Sequence, residues 1–408
     1  MQKRIFIMVL CVLIAAANTI CPHTSTYAMD AVNEVKEMRT AGITPETSET
    51  PETPETPKEP DETPDKDPAE TPDKDPTETP DKEPTETPNP ETPGNVTPEA
   101  PDVIEPPKNG TVISAGAESY VVTKESAEVA YKGTTEVGMI KIPAEVAING
   151  ISYKVTSIAD EAFKNNTDIT SVFIDKNVTT IGKAAFSGCI KLETVSLEAG
   201  LTTIGIEAFT NCTALKTITV PKTVTIIKTR AFMGCTALNA VSLSKGIETI
   251  GKGAFRNCIA LTMITLPKSV KEVKTNAFLG CKKLAVVNLK AGLTTIGNSA
   301  FADCTALGSI MIPKTVTTIK EGAFSGDTSL AAVTISIGIE TIGKKVFYGC
   351  KKLQVLTIKS RKLTSVKSNA LSGIGSTAVI RVKSAKLSAY TKLFKGKGQG
   401  SKVSVVKI

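Results

Sequence analysis

A repeat solenoid closed by a β-rich N-terminal cap is the fold class this 408-residue sequence predicts, and three observations predict it. Phenylalanine returns every 23 residues in nine copies, at Phe163, Phe186, Phe209, Phe232, Phe255, Phe278, Phe301, Phe324 and Phe347, before a 24-residue step ends on Leu371. Six residues after each Phe stands a leucine or isoleucine, from Ile169 to Leu353. Three residues after it stands cysteine, at Cys189, Cys212, Cys235, Cys258, Cys281, Cys304 and Cys350. A fixed period of about 20 to 50 residues is the mark of stacked coils.

The unit reads AFxxCxxLxx[VI]x[LIV]xxx[LVI]xx[IV]xxx, so an apolar residue stands at nearly every point where a coiling chain turns inward. One unit cannot close a core. Its Phe, Leu and Ile are covered only by the next coil, which makes stability a sum of nearest-neighbour contacts. Leu192, Val195 and Leu197 alternate as a short strand with one buried face does. Leu201 and Ile204 line a second extended piece, and GxxAF predicts a tight helical turn that carries Phe to the far side.

AFSGCIKLETVSL, AFTNCTALKTITVP, AFRNCIALTMITLP and AFADCTALGSIMIP resemble the BspA-like bacterial leucine-rich repeat, also called the treponemal type. The resemblance covers roughly residues 155 to 372. It implies a leucine-rich-repeat array of about nine 23-residue units, with short strands on a concave face and short helical turns or loops on the convex face. It also implies a secreted or surface-displayed protein that binds host or microbial surfaces. Two departures qualify the match. Pro221, Pro267 and Pro313 alternate with Glu198, Ser244, Lys290 and Ser336, and Gly200, Gly246, Gly292 and Gly338 mark the intervening units, which gives a second period of 46 residues. Neighbouring coils are therefore expected to leave the strand differently, Pro fixing φ where Gly permits positive φ. Asp327 interrupts the Cys column and Ala370-Leu371 replaces Ala-Phe, so the array is expected to loosen toward its C-terminal end.

In chain order, Lys3 and Arg4 precede an apolar run from Ile5 to Ala17, and Thr26-Tyr27-Ala28 offers small residues for cleavage; residues 1–28 read as a signal peptide. Lipidation at Cys21 is the competing reading, with Ile20 standing where a small residue is wanted. Residues 29–43 form a short mature N-terminal segment. Residues 44–107 hold 18 of the 23 prolines, with 20 acidic and 4 basic residues, in which TPDKDPAE, TPDKDPTE and TPDKEPTE repeat. So little apolar surface builds no core. This is a disordered acidic stalk, reaching on the order of 200 Å at ~3.1 Å per residue as polyproline II. Residues 108–155 carry short apolar runs and an Asn149-Gly150 hairpin signal, and read as the β-rich N-terminal cap over the first coil. The solenoid spans 156–372. In the C-terminal cap, 373–408, AVIRVK reads as a strand, Lys386 to Phe394 as a short helix and KVSVVKI as a last strand. No other apolar run reaches the ~20 residues of a membrane span, and no covalent wall-anchoring signal is visible, so localisation is expected to be secreted or cell-surface.

The only histidine, His23, falls in the signal peptide, which removes the commonest general base from the mature chain along with Ser-His-Asp, Cys-His and Cys/His zinc arrangements. Tryptophan is absent, and with it the usual sugar-stacking platform. Paired carboxylates for glycoside chemistry stand about 5 to 9.5 Å apart. Glu248 and Glu340 share a repeat position four coils apart, roughly 19 Å at ~4.8 Å per coil. Asp303 and Asp327 approach more closely on the convex side and read as solvated rim residues. No catalytic residue, cofactor or metal is expected, and the protein reads as a non-enzyme. Three readings of the Cys column stay open: disulfides between adjacent coils, which suit an exported chain; metal ligation, which a straight row serves poorly; and small buried hydrophobes beside Phe and Leu, the favoured one.

Charge points to the partner. Residues 108–408 carry 40 basic and 18 acidic residues, against the 4 and 20 of the stalk. Lys222, Lys245, Lys268 and Lys314 follow the strand and Lys228, Lys274 and Lys320 precede the Phe turn, read here as basic edges of the concave face. Ser196, Thr219, Ser242, Thr265, Asn288, Met311, Thr334 and Thr357 form the candidate strip between them. A host or microbial surface protein, or an anionic glycan or wall polymer, is the expected partner of this adhesin-like surface. Nucleic acid is not expected, because the export signal and the lack of exposed aromatics among the Lys argue against it. The alternative is a structural or self-associating surface spacer, joined through the acidic stalk.

Overall fold

The computed structural model describes residues 107–408 except 125–127. The expected leader, the 29–43 segment and the acidic stretch up to 106 lie outside the described residues. Each coil consists of a four-residue strand, a corner, a two-residue strand and a turn that carries Ala-Phe inward, as in Thr217–Val220, Ile226–Ile227 and then Ala231-Phe232. Short strands suffice because alternation along them buries Ile218, Val220 and Ile227 and leaves Thr217, Thr219 and Ile226 outside.

Coils stack in parallel and in register. The four-residue strands form the long ladder, twelve strands in three sheets: Gly138–Ile142 to Thr194–Leu197, Thr217–Val220 to Val286–Leu289, and Ser309–Ile312 to Ser404–Lys407. The two-residue strands form the short ladder, which joins the cap strands in one 14-stranded sheet. There are thus about twelve turns where the motif spells nine, because both caps adopt the coil's register without its AF signature. The cap hairpin pairs Ile148 with Ile151 around Asn149 (φ 50°) and Gly150 (φ 79°).

A column of stacked rings runs through the core. Centroids of successive phenylalanines from Phe163 to Phe347 lie 4.9 to 5.8 Å apart, with ring planes within 11° of parallel. Tyr131 of the cap continues the column, 5.5 Å from Phe163, and Tyr120 closes it edge-on at 5.2 Å. Both tyrosine hydroxyls donate to Glu118, which gives the buried phenols their polar partner. Beside the rings, every column cysteine is a free, buried thiol. Each donates to the carbonyl of a phenylalanine 26 residues earlier, from Cys189 to Phe163 (3.0 Å) through to Cys350 and Phe324 (3.0 Å).

The 46-residue period has a steric cause different from the one the sequence suggested. Among Gly200, Gly246, Gly292 and Gly338 only Gly292 has positive φ. What they share is contact: a Cβ on Gly246 would meet the Lys222 carbonyl oxygen at 2.1 Å. Lys176, Lys268 and Lys314 approach Gly200, Gly292 and Gly338 in the same way, whether proline or, before Lys176, Asp175 precedes the lysine, and only glycine admits the carbonyl. A second alternation places Asn211 beneath Gly234, where a Cβ would meet the Asn Oδ1 at 2.2 Å.

The C-terminal end does not loosen. Leu371 takes the aromatic position fully buried, and Asp327, expected at a solvated rim, is fully buried in the Cys column. Beyond the array, strand Val379–Val382 and strand Ser404–Lys407 extend the long ladder, and helix α1 (Leu387–Phe394) buries Tyr390 and Phe394 against the last coil. Tyr390 accepts from the Leu363 N–H (3.1 Å) and donates to the Ser360 carbonyl (3.1 Å), tying the helix to the preceding corner.

Candidate functional site

The candidate strip lies on the outward side of the long ladder, the concave face. Strand alternation presents two residues per coil there. Ser196, Thr219, Ser242, Thr265, Asn288, Met311, Thr334 and Thr357 occupy one register row, with Thr219 opposite Ser242, Thr265 opposite Asn288, and Met311 opposite Thr334. Most are exposed, Ser196, Thr334 and Thr357 less so. Asn288 Nδ2 donates to Thr265 Oγ1 at 3.1 Å, so the row bonds along itself. Phe173 and Arg381 continue it at the two ends.

The second outward row was missed by taking one residue per coil. It runs Ser171, Thr194, Thr217, Ala240, Met263, Val286, Ser309, Ala332, Val355. Met263 (52% exposed) and Val286 (44%) lie side by side, and Met311 (63%) follows in the other row one coil on. With Ala240, Ala332 and Val355 of the second row, these three side chains interrupt rows otherwise made of hydroxyls and Asn288. Met139 and Phe173 form a smaller apolar group at the cap end of the same ladder. The outward alternation at Met263 was the signal available in the sequence.

Lys222, Lys245, Lys268 and Lys314 are all exposed at the corner that follows the long-ladder strand, and border the concave face on one side. Lys228, Lys274 and Lys320 are exposed too, but chain order places them immediately past the short ladder. The two rows therefore flank the short ladder, and only the first is shared with the strip. The rows the sequence joined around one face enclose a different one.

Chemistry is sparse around these surfaces. Among the described residues no group of three His, Cys, Asp or Glu side chains is arranged to hold a metal ion. Burial pushes the Cys235 and Cys281 thiols up to about 12, which makes them poor nucleophiles. Asp327 departs from the rule of its column. Its Oδ1 accepts from the Cys304 N–H at 2.8 Å, Oδ2 has no partner, and burial holds its carboxyl well above the usual range. In the other coils the N–H of the column cysteine bonds the Phe three residues before it; at Cys304 the carboxyl takes that N–H instead. No helix among the described residues is long and apolar enough to cross a membrane.

Residues 156–285 and 280–399 match the BspA type leucine rich repeat region, in six copies. Among solved structures the chain is similar to a leucine-rich repeat protein from Bacteroides ovatus, at 22% identity over 72% of this chain and 99% of that one, with a TM-score of 0.42. It is similar also to the T. pallidum leucine-rich repeat protein TpLRR (24% identity, 60% and 91% covered, TM-score 0.35). A third is the pneumococcal vaccine antigen PcpA (19% identity, 74% and 100% covered, TM-score 0.37). Comparison with curated proteins finds no match.

Proposed function

Since this chain belongs to the BspA-type leucine-rich repeat family, we propose that it is a secreted or surface-displayed, non-enzymatic binding protein, adhesin-like in action, that grips a large extracellular ligand with its concave face. The observation that carries the reading is the face itself: two register rows, mostly hydroxyls, interrupted by Met263, Val286 and Met311 and bordered by the Lys222 row. A rigid strand ladder holds such a surface at low entropic cost on binding. Methionine suits it as an adaptable apolar anchor among polar groups, and desolvating those three side chains supplies non-directional affinity. A host or microbial surface protein fits this mixture of apolar anchors and hydroxyls.

Met263→Lys with Met311→Lys places two charges in the centre of the face without touching the core, because both side chains already lie in water. Solid-phase binding of the full chain to immobilised extracellular-matrix proteins is expected to weaken at least tenfold in this double variant, with circular dichroism unchanged. Equal binding by the variant and the parent chain would remove the concave face from the proposal. The second reading, a self-associating spacer, is favoured by the opposite charges of residues 44–107 and 108–408. It predicts a salt-sensitive rise in scattering mass with concentration.

A further inference from the structure

Basic residues are not spread evenly along the solenoid. From residue 108 to 340 there are 24 basic and 18 acidic residues; from 341 to 408 there are sixteen basic residues and no acidic one. Glu340 is the last carboxylate side chain of the sequence. The early coils balance their charges across neighbours 23 residues apart, with Lys216 on Glu193 at 2.5 Å and Arg230 on Glu207 at 2.7 Å. Among the described residues every ion pair lies before residue 231, so none involves the sixteen.

Fold geometry gathers these cations. Lys359 follows Ile358 and Lys383 follows Val382, and those two residues are register partners, so the lysines stand at one corner on adjacent coils. Arg361 and Lys362 are exposed in the same corner, which continues the Lys222, Lys245, Lys268 and Lys314 row into the last coils. Helix α1 brings Lys386, Lys392 and, just past its end, Lys395, the last two exposed. Tyr390 fixes that helix on the corner through Leu363 and Ser360, so the two sets of cations keep one arrangement. Like charges held at coil spacing, ~4.8 Å, repel, and no ion pair among the described residues offsets them.

We propose that this C-terminal end is a docking surface for a linear anionic polysaccharide, distinct from the concave face. A row of point charges along stacked coils matches a polymer with charges repeated along its length, and neutralising several at once releases the counterions each side held. Exposed hydroxyls at Thr364, Ser384, Ser388 and Thr391 lie among the cations and suit ring hydroxyls, which a polymer of phosphate alone does not offer. The site lets one molecule hold an anionic matrix with its end while the concave face stays free.

The test uses the full chain and heparin as probe, with affinity measured from 50 to 300 mM salt. Converting Lys359, Arg361, Lys362, Lys386, Lys392 and Lys395 to Gln is expected to weaken heparin at least thirtyfold and to flatten the salt dependence by several contacts. Converting Lys222, Lys245, Lys268 and Lys314 to Gln is expected to cost less than fivefold. Tyr390→Phe keeps every charge but loosens the helix, and a three- to tenfold loss is expected. An equal loss in the row variant, or none in the C-terminal variant, overturns the placement. Tighter binding to long-chain polyphosphate than to heparin at matched charge overturns the polysaccharide assignment. Matrix-protein binding by the Met263 and Met311 variant is read separately, so either proposal can fail alone.

Discussion

Asp327 shows how much one residue can weigh in a repeat. Its neighbours in the column place a thiol on a phenylalanine carbonyl of an earlier coil, a weak bond that costs little to bury. A carboxyl in the same slot satisfies one oxygen on the Cys304 N–H and leaves the other without a partner, with Cys304, Cys350 and Asp303 close by. Burial favours the neutral acid, so its folded pKa stands above the unfolded value of about 3.9. The stability this shift contributes is complete below that unfolded value and is lost as pH rises through the raised folded one. Asp327→Cys restores the column and is expected to raise stability at pH 7 by about 1 to 3 kcal/mol, the range for relieving a buried unsatisfied group. Urea titrations of both proteins from pH 4 to 9 should diverge as pH rises. Parallel curves would show that the carboxyl is not buried as described.

At the scale of the coil, the repeat is built in pairs because two backbones come too close for identical neighbours. A side chain has the same effect where Gly234 (φ 73°) packs against Asn211, itself at positive φ (58°), and the amide oxygen fills the space a methyl would need. Gly234→Ala is expected to cost about 2 to 3 kcal/mol, combining backbone strain with the clash. Asn211→Gly in the same chain is expected to recover the clash and leave the strain, so a double-mutant cycle separates them. Full additivity of the two changes would dissolve the pairing argument.

The sequence announced this alternation in Pro-Lys and Gly but not its cause, because close approach between coils is a property of two chains of atoms, not of one residue's φ preference. The columns of Phe, Leu and Cys were legible since identical spacing leaves them no other place to go. The caps were harder. Tyr131 and the Gly138–Ile142 strand keep the register of the coils without the motif, so only their stacking against Phe163 and the Ile169–Ile174 strand reveals them. The candidate strip was legible as a period-23 row, while the apolar trio was hidden because Met263 and Met311 belong to different rows that only the ladder brings together.

For the whole molecule, stacking makes stability a matter of neighbours. Each ring from Phe186 to Phe347 is fully buried by the coils on either side, and no contact leaps from one end of the array to the other. Offset ring pairs at this spacing add about 0.5 to 1.5 kcal/mol each beyond area burial. Phe255→Ala therefore removes two such contacts and opens a cavity, together costing about 3 to 5 kcal/mol. In a globular core that loss would lower one midpoint and leave the transition cooperative. Here it severs the column between Phe232 and Phe278, and the coils on the two sides become units that melt separately. The expected urea profile of Phe255→Ala is broadened, with a smaller apparent m-value and two resolvable phases, because each phase exposes only part of the surface. Tyrosine fluorescence can follow them, with Tyr120, Tyr131 and Tyr153 reporting from the cap and Tyr348 and Tyr390 from the far end. Substituting Tyr348 and Tyr390 by Phe, in Phe255→Ala and in the parent alike so that the loosened helix is common to both, leaves the emission to the cap tyrosines and Tyr27, and only in Phe255→Ala should that signal shift at a different urea concentration from the circular dichroism of the whole. Coincident transitions with the parent's m-value would mean that the coils are coupled beyond their neighbours, and that the array unfolds as one body.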